Sequence, residues 1–171
     1  ATLAIAEYKG PVYLRFGRPS VPVFTDPAQP FVIGKAITFS EGKDVSIFAT
    51  GHMLWRSLLA GAELEKEGIS CEIINLHTIK PLDENAVLSS VRKTGCAVTA
   101  EEHQVNGGLG DAVAQVVTRE YPIPVEMVAV KDSFGESGTP DQLMAKYGLD
   151  VPDIIKAVRR VLSRRTAGVG I

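Results

Sequence analysis

Two arginines near the start of the chain, Arg15 and Arg18, flank Gly17 at the end of an apolar run. A guanidinium group presents paired N–H donors in a planar fork that matches the oxygens of a phosphate. Two such groups beside a glycine could therefore clamp a phosphate ester. The alternative is that each is a surface arginine paired with a nearby acid, and the spacing alone leaves both interpretations open.

An acidic triplet followed by a glycine-rich turn is the second candidate. Glu101-Glu102-His103 follows an apolar segment, and Gly107-Gly108-Leu109-Gly110 opens a predicted helix. Ligands of open α/β sheets bind at the carboxyl ends of strands, and the amides of a helix N-terminus can hold an anion. The spacing is not Gly-x-Gly-x-x-Gly, so a dinucleotide fingerprint is absent. The alternative is that the glycines serve only a tight turn and close packing.

The histidines and cysteines indicate no metal site. No two of His52, His77 and His103 are three or four residues apart, so a helical pair of metal ligands is absent. Each lies near a predicted strand end, where a hydrogen-bonded structural histidine is common. Cys71 and Cys96 form no Cys-x-x-Cys pair, which argues against a zinc site or a disulfide scaffold and fits a reducing cytoplasm.

Composition bounds the class of protein. The chain has 171 residues, of which 45% are hydrophobic and 22% charged, as in an ordinary globular domain with a small appendage. The net charge of −2 lacks the basic surplus of a nucleic-acid binder, and the apolar runs are too short for a membrane helix. The chain begins with Ala1 and has no secretory pattern. We expect either a fragment of a longer polypeptide or a natural short subunit.

The elements that must position these residues alternate between strand and helix. Residues 1–8 predict the end of a helix, residues 12–16 a strand, and the proline-rich residues 19–30 an extended linker. Further strands are predicted over 31–39, 45–49, 71–76, 97–100 and 125–130, and helices after Thr50-Gly51, Pro81-Leu82, Gly107-Gly108, Thr139 and Asp150. Such alternation predicts a mostly parallel sheet covered on both faces.

Periodicity and caps refine the predicted helices. The first long helix has a predicted core-facing stripe of Leu54, Leu58 and Ala62, with Trp55 and Leu59 beside it. In the later helices, the predicted caps are Asp83 with Gly95, the Thr139-Pro140-Asp141-Gln142 capping box with Gly148, and Asp150. The last helix has a predicted apolar face of Ile154, Val158, Val161 and Leu162.

Four ordered segments together resemble one enzyme family. Residues 75–83 (NLHTIKPLD) resemble the TIKPLD segment of the transketolase C-terminal domain, and residues 101–114 resemble its EEH…GGLG…AVA segment. Residues 134–149 are similar to its closing F-x-x-SG…L…YGL stretch. Residues 10–19 are similar to the end of the family's pyrimidine-binding domain. The resemblance extends from about Ala1 to Leu162.

The resemblance implies a fold and a division of the chain. It implies a three-layer α/β/α sandwich with a mixed, mostly parallel five-stranded sheet, whose antiparallel strand we assign to residues 31–39. The implied domains are residues 1–18 as the end of the pyrimidine-binding domain and 19–30 as a linker. Residues 31–165 would be the C-terminal domain, and 166–171 a tail.

The resemblance also implies an activity and partners. Transketolases transfer a two-carbon ketol unit between sugar phosphates with thiamine diphosphate and Mg²⁺, which regions outside this chain would bind. No residue here is therefore carried over as a cofactor ligand or metal ligand, and the isolated chain is expected to be inactive. The expected partners are sugar-phosphate substrates and the remaining transketolase domains or a separate N-terminal subunit. A cytoplasmic homo-oligomer without nucleic-acid or membrane partners is expected.

Among residues, the resemblance assigns substrate-phosphate binding to Arg18, with Arg15 and His103 as weaker candidates. The run Arg15-Phe16-Gly17-Arg18 is also similar to the R-Y-P-R run of 1-deoxyxylulose-5-phosphate synthase, which stays as an alternative. Glu102-His103 and Ser137-Gly138 favour transketolase over that synthase. Arg18 argues against the β subunit of 2-oxo acid dehydrogenase E1, which has no sugar-phosphate substrate. The alternative from another class is a non-catalytic regulatory or interaction module of the same fold.

Overall fold

The computed structural model describes residues 1–17 and 19–167. A short helix, α1 (Thr2–Ala6), precedes a long stretch, residues 7–36, whose described residues form neither helix nor strand. The strand predicted over 12–16 is therefore wrong. A strand needs a neighbour to take its backbone hydrogen bonds, and the described part of the chain supplies none at this segment. Residues 19–30 hold no helix or strand either, as their four prolines predict.

Five strands form one mixed sheet in the order β1-β3-β2-β4-β5. The strands are β1 (Ile37–Ser40), β2 (Val45–Ala49), β3 (Cys71–Asn75), β4 (Ala97–Gln104) and β5 (Val125–Val130). Strand β1 runs antiparallel to β3 and the other pairs are parallel, which confirms the mixed sheet and the antiparallel entering strand.

Two strands differ in length from the prediction. Strand β1 begins at Ile37 because Gly34 adopts a φ of 79° and the Lys35 amide turns back to the Val32 carbonyl at 3.1 Å. Strand β4 continues past Ala100 to Gln104, since its pairing with β5 resumes at Gln104 and Val130 after an irregularity. The acidic triplet thus lies within the end of the strand and not after it.

Helices cover both faces of the sheet, which confirms the three-layer sandwich. The remaining helices are α2 (His52–Lys66), α3 (Glu84–Thr94), α4 (Leu109–Glu120), α5 (Pro140–Lys146) and α6 (Val151–Ala167). One apolar cluster joins the sheet to α2 and α6, and a second joins its other face to α3 and α4. Among the described residues, no helix combines the length and apolar character needed to cross a membrane.

The buried face of α2 differs from the predicted stripe. The helix buries Met53, Leu54, Ser57, Ala60, Gly61 and Leu64, and leaves Leu59 and Ala62 exposed. Close approach to the sheet sets this rotation: a β-carbon at Gly61 would lie 2.6 Å from Ile73 Cδ1. Trp55 is half-buried because Phe24 of the linker stacks on its indole with 5.4 Å between ring centroids.

The predicted caps are in place. Asp83 accepts the Ala86 amide at 3.2 Å, Gly95 ends α3 with a φ of 71°, and the Thr139–Gln142 capping box is formed. The apolar face of α6 is confirmed, with Ile154, Val158 and Val161 fully buried and Leu162 half-buried. Helix α6 continues to Ala167, so it extends into the predicted tail, of which residues 168–171 lie outside the described residues.

A buried polar cluster fixes α3 against the sheet. Ser46 Oγ lies 2.5 Å from Ser90 Oγ and 2.7 Å from Thr94 Oγ1, and Ser90 Oγ donates to Glu72 Oε2 at 2.5 Å. The second carboxylate oxygen of Glu72 accepts from Lys93 Nζ at 2.6 Å. Because each of these buried groups has a partner, the cluster favours a single register of helix on sheet.

Candidate functional site

The N-terminal segment crosses the edge of the sheet where β2 and β4 end. Arg15 Nη1 donates a hydrogen bond to the Glu102 carbonyl at 2.8 Å, and Gly17 lies against the ring of His52. Pro19, Ser20 and Val21 then line a cavity of about 260 Å³ together with side chains from α2, β4 and α5. We call the described residues 15–17 and 19–21 the strap. Its position places Arg15, one of the two arginines of the predicted phosphate clamp, at the edge where ligands of α/β sheets bind.

Glu101 holds the N-terminus of α4. Its carboxylate accepts the amide of Leu109 at 2.7 Å and that of Gly110 at 2.8 Å, and only 3% of the residue is exposed. A β-carbon at Gly108 would lie 2.1 Å from Glu101 Oε2. The glycines therefore do serve close packing. The anion predicted for these amides is the protein's own carboxylate, so this N-terminus is not a ligand site.

Glu102 points to the opposite face and pairs with His52. Its Oε2 lies 3.2 Å from His52 Nδ1. His52 is the first residue of α2, next to the end of β2, so this pair joins the ends of two neighbouring strands beneath the strap.

Arg56 brings a positive charge into the cavity, and acidic side chains compensate that charge. Its Nη2 lies 3.1 Å from Asp141 Oδ1, and its Nε lies 3.5 Å from Asp150 Oδ1. His52 and Arg56, the described basic side chains of the cavity, thus each have an acidic partner. Among the described lining residues, no basic side chain is left without an acidic partner, so the cavity by itself has no unpaired positive charge for an anion.

The predicted site residues lie at different places on this edge. Arg15 is on the strap, and the described contact of its guanidinium group is with a backbone carbonyl and not with an acid. His103 is exposed near the end of β4, where its Nδ1 lies 2.9 Å from the Gln104 carbonyl and 3.9 Å from Glu101 Oε2. Arg18 lies outside the described residues, so its role stays a prediction.

His77 follows the end of β3 on the same edge. Its ring packs on Phe31 with 4.2 Å between centroids, and its Nδ1 lies 2.9 Å from Thr78 Oγ1. Burial lowers the pKa of His77. The Thr78 hydroxyl accepts the Gly34 amide at 3.1 Å and can therefore donate to Nδ1, which is consistent with a neutral imidazole.

The two thiols are not nucleophiles in the folded chain. Burial, with the nearby charge of Asp44, raises the pKa of Cys71 to about 12, and burial also raises the pKa of Cys96. A thiol of this kind stays protonated at neutral pH, and the thiolate is the reactive form.

The described residues do not fit a magnesium–diphosphate cofactor. Within residues 1–17 and 19–167, no three or more His, Cys, Asp or Glu side chains form a group that could hold a metal ion. The glycine-rich turn, the other place for a diphosphate, is filled by Glu101.

The contact between Gly17 and the ring of His52 was not predicted from the sequence. By sequence, His52 belongs with the structural histidines at strand ends, and Gly17 is only a spacer between two arginines. No local signal joins two residues so far apart in sequence. The one available signal is indirect, since both are predicted at strand ends, which can meet at one sheet edge.

Comparison with known proteins shows which family this chain is similar to. Residues 34–154 match the family model described as transketolase, C-terminal domain. A 6-deoxy-6-sulfo-D-fructose transketolase subunit of Clostridium sp. (strain MSTE9) is 45% identical over 94% of this chain and 50% of its own length. A subunit of the apulose-4-phosphate transketolase of Phocaeicola vulgatus is 36% identical over 89% of this chain and 49% of its own length. A 1-deoxy-D-xylulose-5-phosphate synthase of Geobacter sulfurreducens also matches, at 33% identity over 94% of this chain and 26% of its own.

A solved structure shares the fold. It is titled a split gene transketolase, inactive beta4 tetramer, and superposes with a TM-score of 0.91 at 48% sequence identity. The match covers 95% of this chain and 55% of that chain. This chain spans about half the length of the transketolase subunits that it matches.

Proposed function

Because the chain belongs to the transketolase family through its C-terminal domain, we propose that it is the carboxy-terminal part of a thiamine diphosphate-dependent transketolase. The whole enzyme would transfer a two-carbon ketol unit between sugar phosphates. The observation that carries the proposal is the 45% identity to a transketolase subunit over 94% of this chain. Since the chain covers 50% of that subunit, the remaining domains would come from polypeptide outside this chain.

In this enzyme the cofactor would lie on the missing polypeptide, since the described residues here do not fit it. Thiamine diphosphate, when bound, supplies the carbanion-stabilising chemistry, and the protein supplies binding and orientation. The contribution proposed for this chain is Arg18, which would bind the phosphate of the sugar. Arg15 and His103 stay weaker candidates for the same edge.

The names of the relatives support an anionic sugar as the substrate class. One relative is named for a sulfonated sugar and another for a sugar phosphate. Sulfonate and phosphate are both tetrahedral oxyanions, and the guanidinium fork suits the oxygens of either. We therefore propose that Arg18 recognises the terminal oxyanion and leaves the ketol-transfer end of the sugar to the rest of the enzyme.

Subunit reconstitution tests the proposal. The chain is combined with the polypeptide that supplies the other half of the enzyme, thiamine diphosphate and Mg²⁺, and ketol transfer from hydroxypyruvate to an aldose phosphate is measured. Activity that needs both polypeptides is expected. Intact mass of the purified gene product decides whether the missing half is on the same chain. Full association with the cofactor present but without transfer to any aldose phosphate or sulfonate contradicts the proposal.

Two alternatives have their own outcomes in this experiment. Formation of 1-deoxy-D-xylulose 5-phosphate by the reconstituted protein supports the synthase, whose relatives also match this chain. A chain that is complete by intact mass and binds no second polypeptide supports a non-catalytic module of the same fold. We further propose that the enzyme is a homo-oligomer of such units, since the neighbouring solved structure is titled a tetramer.

A further inference from the structure

The strap is anchored on both sides of its central residue. Before that residue, Arg15 donates to the Glu102 carbonyl at 2.8 Å and Gly17 lies against His52. After it, Pro19 lines the same cavity as His52 and Glu102. Two neighbouring strand ends therefore contact the strap both before and after position 18, which itself lies outside the described residues.

Gly17 is the position where this fit is tightest. A β-carbon there would lie 2.1 Å from His52 Cε1 and 2.3 Å from His52 Nε2, closer than carbon atoms approach in proteins. Gly17 is not among the glycines with positive φ, so its backbone conformation permits alanine. The three atoms nearest to a β-carbon at Gly17 all belong to the imidazole ring, so the requirement for glycine comes from this contact and not from the backbone.

The ring cannot simply move away from the strap. His52 Nδ1 lies 3.2 Å from Glu102 Oε2, and the His52 side chain is only 17% exposed. Rotating the ring to admit a β-carbon would give up this contact, and the backbone of the same Glu102 holds Arg15. Ring, carboxylate and strap therefore act as one unit.

We propose that His52 and Glu102 are positioning residues that seat the strap so that Arg18 is presented to the oxyanion of the substrate. This inference rests on the proposed function, in which Arg18 binds the phosphate. A binding group whose chain segment is already ordered loses less conformational freedom when the ligand arrives, so it binds more tightly. The cavity beneath the strap serves as packing space, since Arg56 within it is already paired with Asp141.

A double-mutant cycle in the complete enzyme tests the inference. The variants are Gly17→Ala, His52→Ala and their combination, with Gly135→Ala as the matched control because nothing lies within 4 Å of a β-carbon there. We expect Gly17→Ala to raise the KM for the aldose phosphate about tenfold, equivalent to about 1.4 kcal/mol. The KM for hydroxypyruvate should stay unchanged in all variants, which shows that the fold is intact.

The combination decides between a specific contact and a general loosening. When His52 is already alanine, Gly17→Ala should change the KM for the aldose phosphate by less than twofold, because the clash has been removed. An equal effect of Gly17→Ala in both backgrounds overturns the inference, as does a Gly135→Ala variant that behaves like Gly17→Ala.

Limited trypsin digestion of the full chain gives a second readout that does not depend on substrate. Cleavage after Arg15 releases a product that begins at Phe16, and cleavage after Lys9 is the internal comparator, since the described contacts of the strap do not include it. Gly17→Ala should accelerate the cut after Arg15 about fivefold or more relative to the cut after Lys9. No acceleration means that Gly17 does not seat the strap and overturns the inference.

The Arg18→Ala variant distinguishes a failure of the proposed function from a failure of the positioning role of His52. If its KM for the aldose phosphate is unchanged, the proposed role of Arg18 fails and this inference fails with it. If Arg18→Ala raises that KM but the cycle is additive, the proposed function stands and only the positioning role of His52 is wrong.

Discussion

Replacing Glu101 should destabilise the whole domain, because its carboxylate is the cap of α4. The carboxylate accepts two amides, from Leu109 at 2.7 Å and Gly110 at 2.8 Å. Hydrogen bonds to a charged group are worth about 1.5–3 kcal/mol each, and a negative charge at a helix N-terminus adds about 0.3–1 kcal/mol. Against these gains stands the cost of burying a charge, which is several kcal/mol and is recovered when the carboxylate is removed.

The change in the free energy of unfolding depends on whether the two amides still have an acceptor after the substitution. In Glu101→Ala, two buried amides lose their acceptor, at about 1–3 kcal/mol each. We therefore expect a loss of about 3 kcal/mol in the free energy of unfolding. Glu101→Gln keeps one acceptor oxygen, but its NH₂ group faces the second amide, so we expect about 2 kcal/mol. For a domain of this size, Tm falls by about 2–4 °C per kcal/mol, which predicts a decrease of about 6–12 °C for Glu101→Ala.

Thermal unfolding by circular dichroism measures this change, with Glu102→Gln as the matched control. Glu102 is the next residue and equally acidic, but its side chain is 42% exposed and its partner is His52. Exposed pairs contribute about 0–1 kcal/mol, so the control should lose no more than a few degrees. Gly108→Ala adds a second check: it should be damaging alone, since its β-carbon would meet Glu101 Oε2 at 2.1 Å, and milder in the Glu101→Ala background. Equal Tm values for Glu101→Gln and Glu102→Gln would refute the capping role.

Four further outcomes are expected. Arg18→Ala in the complete enzyme should lower kcat/KM for an aldose phosphate about 10- to 150-fold, because a charge-assisted pair worth about 1.5–3 kcal/mol is lost. Arg18→Lys should be intermediate, and the kinetic constants for hydroxypyruvate should stay unchanged in both variants. An equal loss for both substrates would mean that Arg18 holds the fold. Cys71, with a pKa of about 12, and Cys96 should resist a thiol reagent at pH 8 until the chain is unfolded, and rapid modification of the folded chain would contradict their burial. Because the pKa of His77 is lowered in the folded chain, the stability that its neutral form provides should be fully present above about pH 6.5 and lost as the pH falls towards the lowered value. His77→Phe should therefore reduce the change in the midpoint of urea unfolding between pH 7.5 and 5.5. The same pH dependence in the variant and the wild type would exclude this linkage. The isolated chain should bind no thiamine diphosphate with Mg²⁺ in titration calorimetry, and micromolar affinity would show that the cofactor site has been misplaced.

Local signals explain which parts of the fold could be predicted. The Asp83 cap, Gly95 after the same helix and the Thr139 capping box each depend on residues within a few positions of each other, and all are present. Strand β2 is fully buried and is a nearly continuous apolar run, so its bounds, Val45–Ala49, agree with the prediction. Periodicity succeeded only in part for α2: Leu54 is buried and Leu58 packs against the core, but Ala62 is exposed, while Gly61 lies close to Ile73.

The sequence identified candidate residues and not the contacts between them. Arg15 and the acidic triplet were separate candidates, and only the structure joins them, through the hydrogen bond from Arg15 to the Glu102 carbonyl. For the glycine-rich turn, anion binding and close packing were both open, and Glu101 fills the turn, as close packing implies. Whether a glycine turn is free or filled depends on which way a neighbouring strand residue points. Glu101 lies on the face of β4 that packs on α4, as Ala97 does, through the ordinary alternation of strand residues.

Short-range patterns and ordered motifs were enough to predict the alternation of strands and helices, the helix caps and the family. In contrast, that Glu101 faces α4, that Glu102 faces His52 and that Gly17 must be small follow only from the packing of the folded chain. Successive strand residues point to opposite faces of a sheet, so a register shift of one residue in β4 would exchange the buried and the exposed carboxylate. Contacts such as that between Arg15 and Glu102, 87 residues apart, exist only once the chain has folded, and no local pattern encodes them.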